Sequence, residues 1–180
     1  MSPLKIWAPD PVLDQIRRHL FNNQPWPDFS SFRIGDFPVI EYCSCNPGEE
    51  TTLPGLRIRC VQTSHPVYSV GYLVSASQGS FLYSGDTGPT DDLWALARSA
   101  ENLRAVFVET AFPNRLQEIA LEFGHLTQAL LGDELAKLGR PDVAVNIMHV
   151  KSVYQAEISR ELLALERSCT ILAGGERFIF

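Results

Sequence analysis

The chain has 180 residues, of which 45% are hydrophobic and 20% are charged, and its net charge at pH 7 is -6. This composition is typical of a globular protein, and the acidic balance argues against a protein held to nucleic acid or anionic lipid by a general basic surface, while leaving a local basic site open. The sequence contains no apolar run of about 18 residues, so no membrane span is expected, and its start, "MSPLKIWAPDP", lacks the apolar core of a signal peptide. These features predict a cytoplasmic protein.

The first part of the chain is dominated by strand patterns. A short strand is predicted at Leu4–Ala8, and Asp10 and Pro11 begin a helix that continues to about Leu20. The segment "NPGEETTLPG" is expected to be a turn or a flexible hairpin tip, and "SQGS" a hairpin turn. Strands are predicted in "DFPVIEYCSC", "LRIRCVQTS", "YSVGYLVSA" and "GSFLYSGD".

After "GSFLYSGD", strands alternate with helices. Thr90 is expected to cap a helix, and "RAVFVET" and "DVAVNIMH" have the composition of buried strands. Further helices are predicted in "NRLQEIALEF", "TQALLGDELAKLG" and "SVYQAEISRELLALE", and two short strands in "CTILAGGERFIF". The order of elements predicts one domain over residues 1–180, with an α/β fold in which helices cover a mixed sheet.

Polar side chains stand where predicted strands end or helices begin. His65, Asp86, Glu109 and His149 follow strands, and His125 precedes a helix. A lone histidine after a strand is more often structural than a ligand, and an aspartate between glycines is often only a turn former. Together, however, imidazoles and a carboxylate are the ligand set of zinc, manganese or iron. A carboxylate in the turn "SGDTG" could bridge two metal ions, because it has two oxygens.

Five segments in order give the chain a family resemblance. They are "TSHPVYSVGYLV", "SGDTGP", "VETAFPN", "GHLTQALLGDELAKLG" and "VNIMHVK". This series resembles the later part of a hydrolase of the metallo-β-lactamase superfamily. It is most similar to the class II cyclic-nucleotide phosphodiesterases and next to the tRNase Z group. The resemblance is specific from about residue 65 onward and looser from residue 4.

The resemblance implies a fold, a cofactor and residue roles. It implies the C-terminal portion of an αββα sandwich and two divalent metal ions, zinc first, with manganese or iron as alternatives. His65 would bind one metal, His149 the other, and Asp86 would bridge them. Glu109 and His125 would form a proton relay, with His125 near the leaving oxygen. The implied substrate is a small phosphodiester, such as a cyclic nucleotide.

One family motif, His-x-His-x-Asp-His, is absent from the chain. We therefore expect an N-terminally truncated domain that lacks several metal ligands and is inactive by itself. Two alternatives remain open: a non-catalytic relic with a binding or structural role, and an endonuclease like tRNase Z. A sheet face that the truncation leaves uncovered predicts self-association.

Overall fold

The structure is a computed structural model that describes residues 2–179. Its first part forms a small two-stranded parallel sheet from β1 (Leu4–Ala8) and β4 (Ile40–Ser44). Between these strands lies α1 (Asp10–Gln15), which continues into a π-helical turn at Ile16–Leu20. The predicted strand at Leu4–Ala8 and the helical segment to Leu20 are therefore confirmed. A short antiparallel ribbon of β2 (Arg33–Ile34) and β3 (Phe37–Pro38) precedes β4.

A seven-stranded mixed sheet forms the body of the molecule, in the order β11-β10-β9-β8-β7-β6-β5. Strands β5 to β8 are antiparallel neighbours, whereas β8, β9, β10 and β11 run parallel to one another. Because β7 is antiparallel to both of its neighbours, β6 has the same direction as β8, β9 and β10. The strands are β5 (Glu50–Leu53), β6 (Leu56–Gln62), β7 (Val70–Ser75), β8 (Ser80–Tyr83), β9 (Leu103–Glu109), β10 (Ala144–Met148) and β11 (Cys169–Ile171).

Helices pack against one face of this sheet. Alternate strand residues such as Leu73, Leu82 and Val106 are fully buried against Trp94 and Leu131 of these helices. Each such side chain stabilises the fold by roughly 1.5–3 kcal/mol relative to exposure. The helices are α2 (Asp92–Arg98), α3 (Gln117–Glu122), α4 (Gln128–Leu138) and α5 (Gln155–Leu162), with 3₁₀ turns at Asn114–Leu116 and Ser152–Tyr154. The predicted class, a mixed α/β fold, is confirmed.

The ends of α4 follow directly from its sequence. The Thr127 hydroxyl accepts a hydrogen bond from the Leu130 amide at 3.4 Å, which caps the first turn. Gly139 ends the helix in the left-handed conformation, with φ at 62°. None of residues 2–179 lies in a helix long and apolar enough to cross a membrane.

Three local predictions need correction. The segment "NPGEETTLPG" does contain a hairpin tip, at Pro54 and Gly55, but its residues 50–53 form strand β5, which pairs with β6. Thr90 does not cap α2, because Asp91 occupies that position and the Thr90 amide donates to buried Glu134 at 3.0 Å. Between residues 172 and 179 no second strand follows β11, since Gly174 and Gly175 both have φ above 90°, which is not the conformation of an extended strand. Phe180 lies outside the described residues.

Candidate active site

The five predicted site residues meet at one edge of the large sheet. The chain leaves β6, β8, β9 and β10 at this edge, because these four strands share one direction. His65 follows β6, Asp86 follows β8, Glu109 ends β9 and His149 follows β10, while His125 comes from the segment before α4. Strand direction therefore explains why residues up to 84 positions apart (His65 to His149) form one cluster.

The turn that carries Asp86 is held tightly on both sides. Gly85 has φ at 63°, and a Cβ atom there would stand 2.6 Å from the carbonyl oxygen of Val70, so only glycine is accommodated. The Thr63 hydroxyl donates to the Asp86 carbonyl oxygen at 2.9 Å. The Asp86 carboxylate, 40% exposed, lies 3.5 Å from the Nδ1 atom of His149. The glycine turn thus presents a half-exposed carboxylate to an imidazole of the neighbouring site segment.

Glu109 is a fully buried carboxyl group at the centre of a hydrogen-bond network. Its Oε1 atom accepts from the Thr87 amide at 2.7 Å and lies 2.7 Å from the Nδ1 atom of His125. Its Oε2 atom accepts from the Leu126 amide at 3.3 Å. A carboxyl group bound to Nδ1 fixes the orientation of the His125 ring and leaves the other ring nitrogen available for proton transfer.

Burial perturbs both members of the pair. It raises the pKa of the Glu109 carboxyl to about 7, although hydrogen bonds from the Thr87 and Leu126 amides oppose the rise. Burial also lowers the pKa of the His125 imidazole, and the Asp86 charge opposes that shift. Both changes disfavour the ion pair relative to the neutral pair. In the neutral pair, one proton lies between Oε1 and Nδ1, which are 2.7 Å apart.

The imidazole ring of His125 contacts two other imidazole rings of the site. The ring centroids of His65 and His125 are 5.2 Å apart, and those of His125 and His149 are 5.3 Å apart in a stacked arrangement. Gly124 makes the first contact possible, because a Cβ atom there would stand 2.8 Å from the Cα atom of His65. His149 has φ at 58°, a conformation that is uncommon for residues with a side chain and that turns the chain sharply after β10.

Two further residues of the site were not predicted from the sequence. The ammonium group of Lys151 lies over the Phe112 ring, 4.6 Å from its centroid, and the Phe112 ring is 5.7 Å from that of His125. Both residues lie in segments quoted above, Lys151 in "VNIMHVK" and Phe112 in "VETAFPN", but no local pattern indicated that the two side chains contact each other. The structure therefore adds a cation and its aromatic neighbour to the cluster.

The metal roles of His65, Asp86 and His149 remain predictions. These donor types suit zinc, yet within residues 2–179 no three His, Cys, Asp or Glu side chains are grouped so that they could hold a metal ion. The Nδ1 atom of His65 instead lies 2.9 Å from the Val67 carbonyl oxygen. The donors that the structure describes thus do not amount to a metal site by themselves.

Comparison with known proteins gives the family. The family model of the beta-lactamase superfamily domain matches residues 1–149. The chain belongs to this superfamily. It is 29% identical over 191 aligned positions to a probable 3',5'-cyclic-nucleotide phosphodiesterase of Yersinia pestis, and that alignment covers 92% of this chain and 55% of the relative. It is 25% identical to 3',5'-cyclic-nucleotide phosphodiesterase 1 of Saccharomyces cerevisiae, covering 82% of this chain and 47% of the relative. The chain therefore spans about half the length of the curated relatives it matches.

Solved structures of the superfamily share the fold. Unliganded yeast PDE1 superposes with a TM-score of 0.83 at 20% identity, covering 94% of this chain and 58% of that protein. The metallo-beta-lactamase fold protein YhfI of Bacillus subtilis gives 0.72 at 14% identity, covering 94% and 62%. The short form of human tRNase Z gives 0.59 at 15% identity, covering 84% and 61%. The family resemblance drawn from the sequence is thereby confirmed, and the fold family generally binds divalent metal ions.

Proposed function

We propose that this chain carries the proton-transfer part of a phosphodiesterase-type hydrolase site. The observation that carries the proposal is the buried Glu109–His125 pair, whose atoms are 2.7 Å apart. The His125 ring stacks on that of His149, which in turn lies 3.5 Å from the Asp86 carboxylate. A carboxyl-oriented imidazole is the usual donor of a proton to an alkoxide leaving group. The names of the two curated relatives support a 3',5'-cyclic nucleotide as the substrate.

Each member of the pair has a distinct role in this proposal. His125 delivers a proton from its second ring nitrogen to the leaving oxygen of the phosphodiester. Glu109 is the positioning residue, because its carboxyl group holds Nδ1 while the Thr87 and Leu126 amides hold the carboxyl group. Burial of the pair excludes water and so preserves the proton for the substrate.

We propose that His65, Asp86 and His149 contribute ligands to a metal centre that needs further donors. A structural or catalytic zinc ion takes three or four protein ligands, and the three residues are not grouped as such in residues 2–179. No step of the proposal is therefore routed through a metal ion. Residues 1–180 alone are expected to show no tight metal centre and no meaningful turnover.

Hydrolysis assays on the chain alone and on the complemented chain test the proposal. The substrates are cyclic AMP and bis-(p-nitrophenyl) phosphate with added zinc or manganese, and the complement is a family segment with the His-x-His-x-Asp-His motif, supplied in trans. We expect turnover only in the mixture, and its loss with Asp86→Ala. Turnover by the short chain alone that Asp86→Ala abolishes would show that unidentified ligands complete the site. A mixture that binds cyclic AMP without hydrolysing it would favour the non-catalytic alternative.

A further inference from the structure

The cation at the edge of the histidine cluster has no acidic partner. Lys151 is half-buried, and no carboxylate oxygen of residues 2–179 lies within ion-pair distance of its ammonium group. Its recorded partner is the face of the Phe112 ring. A cation over phenylalanine at a partly exposed position is held by only about 0.5–1 kcal/mol. The ammonium group is therefore positioned near the cluster without being strongly bound there.

A neighbouring cation shows the contrasting arrangement. Arg115 lies over the Tyr154 ring at 5.5 Å, and Tyr154 in turn contacts Phe112. The guanidinium group of Arg115, however, pairs with the Glu157 carboxylate at 2.9 Å and 3.3 Å. Of these two neighbouring cations, one is thus neutralised by a carboxylate and the other is not.

The charge of the cluster itself creates a need for a cation. Asp86 is a half-exposed carboxylate at the site. A phosphodiester carries a negative charge on its non-bridging oxygens, so the Asp86 carboxylate would repel it. An ammonium group is a compact charge on a flexible stem with three donors, and can leave an aromatic face to reach such an oxygen.

We propose that Lys151 is the phosphate-binding residue of this site. Its ammonium group lies over the Phe112 ring in the free protein and moves to a non-bridging phosphoryl oxygen when an anionic ligand binds. This inference rests on the proposed function for its ligand class, a small phosphodiester, but it concerns binding and not turnover. Lys151 follows the left-handed turn at His149 by two residues and lies over Phe112, whose ring is 5.7 Å from that of His125, whereas Arg115 stays with Glu157. Arg115 consequently provides a matched control.

Ligand titration of the full 180-residue chain tests this inference. Cyclic AMP and adenosine are added to the isotope-labelled protein, and dissociation constants are obtained from amide chemical shifts. We expect Lys151→Met to weaken cyclic AMP binding about tenfold, which corresponds to about 1.4 kcal/mol. Lys151→Arg should stay within about threefold of the unmodified chain, because the charge is kept. Arg115→Met should leave the dissociation constant within about twofold, because its charge is already paired.

Adenosine separates a charge effect from damage to the fold. It shares the base and ribose of cyclic AMP but lacks the phosphate, so Lys151→Met should not change its affinity. Equal affinities of the unmodified chain and Lys151→Met for cyclic AMP would overturn the inference, as would equal weakening of both ligands. Cyclic AMP that shifts no resonance of residues 149–151 would also overturn it. A complemented chain that fails to hydrolyse cyclic AMP, yet keeps the Lys151 dependence of binding, would refute only the proposed function.

Discussion

Substitution of Gly124 by alanine should disrupt the contact between the loops that carry His65 and His125. A Cβ atom at this position would stand 2.7 Å from the Pro66 side chain and 2.8 Å from the His65 Cα atom. The positive φ of 67° alone costs an alanine roughly 1–2 kcal/mol. Overpacking against a backbone atom adds about 1–3 kcal/mol, because backbone cannot rotate away as a flexible side chain can. We expect Gly124→Ala to lower the free energy of unfolding by roughly 2–5 kcal/mol.

Gly139 provides the matched control. It ends α4 with φ at 62°, yet nothing lies within 4 Å of a Cβ atom placed there. Gly139→Ala should therefore cost only the backbone term, and urea unfolding should show Gly124→Ala to be less stable by roughly 1–3 kcal/mol. At about 2–4 °C per kcal/mol for a domain of this size, the melting temperatures should differ by about 2–12 °C. Equal losses of stability in the two variants would refute the close approach of the two loops.

Three further predictions concern the core, the metal and the assembly state. Glu134→Leu should destabilise the fold by about 1–3 kcal/mol, because it leaves the Trp94 indole N–H, now 2.6 Å from the carboxylate, and the Thr90 amide without an acceptor, while Lys137 keeps its pair with Asp91 at 2.8 Å. Tryptophan-monitored urea unfolding measures this, with Glu134→Gln as the milder control, and an unchanged midpoint for Glu134→Leu would contradict it. Zinc titration of the short chain by calorimetry should show no tight binding, and Asp86→Ala should not change the result. Submicromolar zinc binding that Asp86→Ala abolishes would contradict the view that His65, Asp86 and His149 lack further donors. Sedimentation at high protein concentration should show self-association, and a monodisperse monomer would contradict that expectation.

Hydrophobic patterning predicted most strands of the large sheet. The buried strands β9 and β10 are predominantly apolar, and α4 has a capping threonine and a terminating glycine, so local sequence determines them. β5 was missed because three of its four residues, in "ETTL", are polar and the strand lies at the sheet edge, where pairing with β6 rather than composition makes the strand.

The site residues were predictable from their positions, whereas their contacts were not. His65, Asp86, Glu109 and His149 all stand at strand ends, and a common strand direction brings them together. The contact between Lys151 and the Phe112 ring depends on how two separate loops approach each other, and no local sequence pattern determines that approach. The burial of Glu134 could likewise not be predicted from the sequence, since an acidic residue inside a helix is normally exposed to solvent.

The leaving-group dependence of the His125→Ala variant tests the central claim most directly. A nitrophenolate leaves without protonation, whereas the ribose alkoxide of cyclic AMP needs a proton. In the complemented chain, His125→Ala should therefore reduce turnover of cyclic AMP by about 10²–10⁴-fold and that of bis-(p-nitrophenyl) phosphate far less. Equal reductions for the two substrates, or none for cyclic AMP, would contradict the role of the Glu109–His125 pair in delivering that proton.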